Sequence, residues 1–203
     1  MAGPILGAGS PGPAGAMESI AARLPAGVAA DDLAPVLLRL EGSGTKSTGG
    51  AAAFLLGELL EARGDLRASA AAFGRAAGRL TGDDKARARY RQGVAWLGVP
   101  DGWRARAAFE ESERVPAVAA ESQLGLALAM VQINEPERAR DVLYKLLEGN
   151  AGEAEPVALE RYASLCDRAH RATEAQAARD RLARRWPHSI EAARLGLPST
   201  LVR

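Results

Sequence analysis

From about residue 31 onward the apolar positions follow helical spacing, with polar residues between them. The strict alternation of a half-buried strand is nearly absent, so the chain reads as all-α. One element of the pattern recurs. Gly57, Gly93, Ala127 and Ala163 stand 36, 34 and 36 residues apart inside apolar helical text. Twelve residues after each comes a second small residue: Ser69, Ala105, Ala139 and Ala175. Four further on come Phe73, Phe109, Leu143 and Arg179. A period near 34 residues predicts a solenoid of helix-turn-helix units. One such pair cannot bury its own apolar stripes, and stacking on the next pair supplies the missing surface.

The units can be placed. The first pairs a helix near 51–63 with one near 66–80 across Gly64-Asp65. The second pairs 84–98 with 103–114 across Val99-Pro-Asp-Gly102. The third pairs 117–132 with 137–148 across Asn134-Glu-Pro136. The fourth pairs 156–169 with 172–185 across His170-Arg171, a turn without the usual Gly, Asp, Asn or Pro. Trp186-Pro-His-Ser189 then breaks the helix, and Ser189 is placed to cap a last short helix, 190–196, within a capping segment and tail over 188–203. The repeat array is thus expected over 51–187.

Ahead of the array, residues 1–16 are Gly, Pro, Ala and Ser with little else, the composition of a disordered tether. Short helical patterns near 17–24 and 31–41 make 17–41 an expected helical cap, with Asp31 or Asp32 at the start of the second. Residues 42–50, Gly-Ser-Gly-Thr-Lys-Ser-Thr-Gly-Gly, read as a flexible linker. A phosphate-binding loop is the competing reading. It needs Gly directly before Lys, where Thr45 stands, and a strand before it, where the text is helical.

Composition adds limits more than direction. Apolar residues make up 47% of the chain and aromatics only 4%, so Ala and Leu must build the core. The 26 basic and 25 acidic residues leave a net charge of +1, with no global pull towards nucleic acid or an anionic membrane. Only Lys46, Lys85 and Lys145 are lysines, an arginine excess that a GC-rich coding sequence would also produce. Cys166, the single cysteine, cannot form an intrachain disulfide, and it falls on an apolar helix face where a reduced thiol acts as a small hydrophobe. No apolar run approaches the roughly 20 residues of a membrane span. The N-terminus lacks a charged region followed by an apolar stretch, so as written the chain reads as cytoplasmic. A removed export signal would leave the same text and place it in the periplasm or cell envelope.

The recurring residues resemble the tetratricopeptide repeat family. Leu56-Gly57, Gly64-Asp65 and Phe73 are similar to its Leu-Gly, Gly-Asp and aromatic positions in one repeat. Gly93, Trp96, Ala105 and Phe109 match in the next. Ala127, Ala139 and Leu143 continue, followed by Ala163, Ala175 and Pro187. The resemblance covers 50–187. Arg89 and Gln92 depart from it, as does Arg179 at an aromatic position. The ending Trp186-Pro-His-Ser-Ile-Glu-Ala-Ala also resembles a motif of bacterial cell-envelope repeat proteins.

The resemblance implies an α-α superhelix whose first helices line a concave groove for another protein or a peptide. Carried onto this chain, the groove face is Phe54, Glu58 and Glu61, then Tyr90, Val94 and Leu97, then Glu121, Leu124, Leu128 and Val131. It would present an acidic entrance beside an apolar floor, suited to an apolar segment with basic flanks. A one-residue shift would make Leu124 or Leu128 core, so each apolar member stays open between groove and core. The clamp for a C-terminal carboxylate used by some members lacks its Lys and Asn here, since Phe54 and Glu58 occupy those positions.

Two other function classes compete. The run Arg161, Arg168, Arg171, Arg179, Arg181, Arg184 and Arg185 could bind phosphate groups or anionic lipid, although it lacks the interleaved aromatics of a base-stacking surface. A solvated face with ordinary ion pairs would look the same. The third class is a structural subunit of an envelope assembly. No cofactor or metal is expected. His170 and His188 have no Cys, His or paired carboxylate at ligand spacing, and no nucleophile elbow exists, so the chain reads as a non-enzyme.

Overall fold

The computed structural model describes residues 33–197, which are helix and turn throughout. The helices, in order, are α1 (Leu33–Ser43), α2 (Lys46–Ala62), α3 (Leu66–Arg79), α4 (Gly82–Gly98), α5 (Gly102–Ser112), α6 (Ala119–Gln132), α7 (Pro136–Glu148), α8 (Glu155–Arg168), α9 (Ala172–Arg185) and α10 (Ile190–Arg194). Short 3₁₀ turns at Pro116–Val118 and Gly152–Ala154 lead into α6 and α8. Each helix packs chiefly on its sequence neighbours. The described chain is an all-α solenoid of four pairs, α2/α3 to α8/α9, with α1 and α10 at its ends.

The small residues of the recurrence sit where the two helices of a pair cross. A methyl group at Gly57 would lie 2.7 Å from the Phe73 ring, and one at Gly93 would lie 2.7 Å from the Phe109 ring. Phe109 also faces forward, and a methyl at Gly125 of α6 would meet it at 2.5 Å. Glycine is therefore required at these points by the approach of a ring to a backbone. The residues twelve on are fully buried, and Ser69 donates a hydrogen bond of 2.9 Å to the Gly57 carbonyl. In the third pair Ala127 and Leu143 are both buried at the crossing positions.

The turns inside the pairs repeat one backbone device. The amide of Asp65 donates to the Leu60 carbonyl at 2.9 Å, Asp101 to Trp96 at 3.0 Å, Glu135 to Met130 at 2.8 Å and Arg171 to Cys166 at 2.8 Å. This six-to-one bond is the Schellman closure, which needs the preceding residue in the left-handed region. Gly64, Asn134 and His170 hold that place with φ of 80°, 62° and 57°, and Pro100 stands there in the second pair. The fourth turn, which lacks the usual turn residues, thus closes like the first, with His170 as the strained member. Asp65 and Asp101 then cap the following helices through the amides of Ala68 and Arg104. Glu135 and Arg171 make no such cap.

Each end of the array is held by a buried carboxylate. Glu41 of α1 accepts from Arg75 at 2.7 and 3.1 Å, and its carbonyl accepts from Arg79. Glu155, at the start of α8, accepts from Arg181 (2.7 Å), Arg185 (2.6 Å) and the Trp186 indole (3.0 Å). Burial pushes the Glu155 carboxyl up, but the Trp186 and Arg181 hydrogen bonds with the two arginine charges outweigh it and hold it below its ordinary value. Ser189 caps α10 by accepting from the Ala192 amide at 3.1 Å.

One expectation fails. Residues 46–50, read as part of a flexible linker, are the first turns of α2, capped by Thr45, whose side chain accepts from the Thr48 amide at 3.2 Å. Gly49 and Gly50 are there for close approach. A methyl at Gly49 would meet the Glu41 carbonyl at 2.9 Å, and one at Gly50 would meet the Leu80 side chain at 2.8 Å. Thr45 and the preceding helix α1 still depart from a phosphate loop. The expected tether 1–16, the helix near 17–24 and the Asp31 or Asp32 cap lie outside the described residues.

Candidate functional site

The inner face of the solenoid carries a cavity of about 540 Å³, within the size range of small-ligand sites. Its floor is Val94 and Leu97 of α4, Leu128 and Val131 of α6, and Leu165 of α8, with Glu61 of α2 at one side and Arg161 and Arg168 of α8 at the other. Gln132 ties two walls together by donating to the Leu97 carbonyl at 2.9 Å. The register explains the lining. One and four residues after the first three close-packing residues come Glu58 and Glu61, Val94 and Leu97, Leu128 and Val131, all but Glu58 in the lining.

Three residues expected on this face are core instead. Phe54 and Leu124 are fully buried and Tyr90 is nearly so. The Phe54 ring meets Phe73 edge-on at 5.2 Å, and Tyr90 lies 6.0 Å from Phe109. All three stand three positions before the small residue. In the first two pairs the second-helix ring that lies on the small residue also touches the residue one turn earlier, and in the third Leu124 is buried in the cluster that holds Leu143 and Phe109. Val94, Leu97 and Leu128 are half-buried, and Val131 is 37% exposed.

The acidic side is partly neutralised. Arg91 lies 2.9 Å from Glu61 and 4.0 Å from Glu58, with its guanidinium 5.5 Å over the Phe73 ring. Burial pushes the Glu58 carboxyl up, Arg91 opposes this, and Glu61 adds to it, for a net rise. Burial also raises the Tyr90 hydroxyl, helped by the charges of Glu121 and Glu61. Glu121 is half-buried in the first turn of α6.

The arginine run is not brought onto one surface. Arg161 and Arg168 line the groove. Arg181 and Arg185 hold Glu155, Arg171 pairs with Glu174 at 2.9 Å, and Arg179 pairs with Asp167. Arg184 is exposed on α9. The sequence signal for Arg161 and Arg168 as groove residues was available: both flank Ser164, one position after Ala163, in the same register as Val94 and Leu128. Their place in a run of seven arginines hid it.

Other chemistry is sparse. Cys166 is buried, and burial pushes its thiol above the ordinary value, away from the reactive thiolate. Tyr162 donates to Glu174 at 2.9 Å beside it. Among the described residues no group of three His, Cys, Asp or Glu could hold a metal ion, and no helix is long and apolar enough to cross a membrane.

No protein-family model matches the sequence, and no curated protein does. Solved structures do. PilF of Pseudomonas aeruginosa is similar over 83% of this chain and 81% of its own, at 15% identity and a TM-score of 0.57. YrrB, described as a tetratricopeptide repeat protein with an unusual peptide-binding site, is similar over 82% of this chain and 88% of its own, at 12% identity and a TM-score of 0.60. This chain has the tetratricopeptide repeat fold. The Gly-aromatic crossings and left-handed turns described above are its physical basis in this sequence.

Proposed function

We propose that this chain is a protein-interaction scaffold that holds an apolar segment of a partner protein or peptide in its concave groove. The observation that carries this reading is the groove itself. It is an apolar cavity walled mainly by first helices of successive pairs, with Leu66 and Leu143 added from second helices and charged side chains at its two sides. Such a surface suits an extended or helical segment that inserts apolar side chains and leaves polar ones at the rim. The lining contains no His or Cys, and its one carboxylate, Glu61, is engaged by Arg91, so it favours binding over catalysis. YrrB shows that a peptide-binding site occurs on this fold.

The test uses exposed or half-exposed positions, since Tyr90 is core. Leu128→Glu combined with Val131→Glu should abolish crosslinking to a partner captured by the wild-type chain, with the melting curve little changed. Trp103→Glu, on a side chain 64% exposed outside the groove, should leave that crosslink intact. Equal capture by both variants would sink the groove reading.

A further inference from the structure

The groove carries opposite charge at its two sides. At the first, Glu61 lines the cavity and Glu58 lies one turn earlier on α2. Their close counter-charge is Arg91, at 2.9 and 4.0 Å from the two α2 carboxylates. Two carboxylates against one guanidinium leave this side negative.

At the second side the balance is reversed. Arg168 forms no ion pair among the described residues, although it lines the cavity. Among the described residues the nearest carboxylate to Arg161 is Glu160 at 4.0 Å, beyond hydrogen-bond distance. The acids close to these arginines have other partners. Glu160 also faces Arg194 at 3.8 Å, and Asp167 is taken by Arg179.

We infer that the occupant is a polypeptide segment with an apolar centre, a basic flank set against Glu61 and an acidic flank set against Arg161 and Arg168. This rests on the groove reading above and adds a direction to it. Like charges brought together would penalise the reversed placement, so the two sides fix which way the segment lies. The basic flanks expected from the sequence match only the Glu61 side of the groove.

A peptide library displayed on phage tests this. Each member has a six-residue core of Leu, Val, Ala and Phe, flanked on both sides by three positions drawn from Lys, Glu and Gln. The wild-type chain should enrich peptides that are Lys-rich on one flank and Glu-rich on the other. Selection on Arg161→Glu/Arg168→Glu should shift the Glu-rich flank to Lys. Arg161→Gln/Arg168→Gln should bind the wild-type winners about tenfold more weakly by fluorescence anisotropy, a loss that added salt reduces. Neutral or same-sign flanks on the wild-type winners would overturn the directional reading. The groove reading would survive that result if Leu128→Glu still abolished binding. No enrichment over a polar-core control library would overturn both.

Discussion

The second and fourth helix pairs meet the same crossing with different residues. In the second, Gly93 lets the Phe109 ring lie on the α4 backbone, and Gly125 lets it lie on α6 as well. One ring thus joins three helices across two pairs. In the fourth, Ala163 fills part of that space and Arg179 leaves the crossing to pair with Asp167 on α8. The third pair is intermediate, with Ala127 against Leu143. As the small residue grows, its partner sixteen positions on shrinks or turns away. The position of a pair in the array accounts for the end member. Another full pair follows the second, so a wedge is needed there. Only the short α10 follows the fourth, and its helices are held instead by the buried Glu155 cluster.

The largest effect should come from the wedge. Phe109→Ala should cost about 3–5 kcal/mol in urea denaturation, while Arg179→Ala, losing a partly solvated ion pair, should cost less than about 1 kcal/mol. Equal losses would break the comparison. Gly93→Ala should cost about 1–3 kcal/mol through overpacking against the ring, reduced by the better helix propensity of Ala. Adding Phe109→Leu transplants the third pair's solution. The double variant should be less destabilised than the sum of the single changes, because the two side chains share one space. Simple additivity would mean that the contact is not the constraint.

The buried carboxylate that closes the fourth pair should show in the pH dependence. The folded state holds Glu155 below its ordinary value of 4.5, so the folded form binds fewer protons than the unfolded one. Its stabilising contribution is complete above that ordinary value and is lost as pH falls through the lower, folded value. Glu155→Gln should cost about 1–3 kcal/mol near neutral pH, since it weakens three donors' bonds to a buried acceptor. It should also flatten the acid limb of a stability-versus-pH curve. An unchanged acid limb would mean that other carboxylates govern it.

The fold was legible in the sequence because a solenoid writes its packing locally. The small residue, the aromatic sixteen positions on and the turn between them lie within one repeat, so spacing alone locates the crossing. The groove was only half legible. Val94, Leu97, Leu128 and Val131 follow from the same register. Helix periodicity left Phe54, Tyr90 and Leu124 open between groove and core; they are core, and for Phe54 and Tyr90 a ring arriving from the second helix decides it, which helix periodicity does not report. Gly49 and Gly50 were misread for a related reason. Composition cannot distinguish a glycine that frees the backbone from one that lets Leu80 or a carbonyl come close. Arg161 and Arg168 were hidden because a charge run reads the same whether its members face solvent, a buried Glu or a cavity.

The smallest effect separates the turns. All four pairs use the left-handed closure, but only the first has glycine at the residue that bears it. Gly64→Ala should cost about 1 kcal/mol, since a β-carbon at φ of 80° is strained. His170→Gly should do the reverse. It removes a β-carbon at φ of 57°, and the gain should reach about 0.5–1 kcal/mol after the added entropy of glycine in the unfolded chain. Asn134→Gly should change little, because Asn tolerates that region. Thermal melts of the three variants would order them Gly64→Ala, wild type with Asn134→Gly, then His170→Gly. If His170→Gly instead destabilised the chain, the imidazole would have to make a contact beyond the turn, and the fourth pair would differ from the first in more than its crossing.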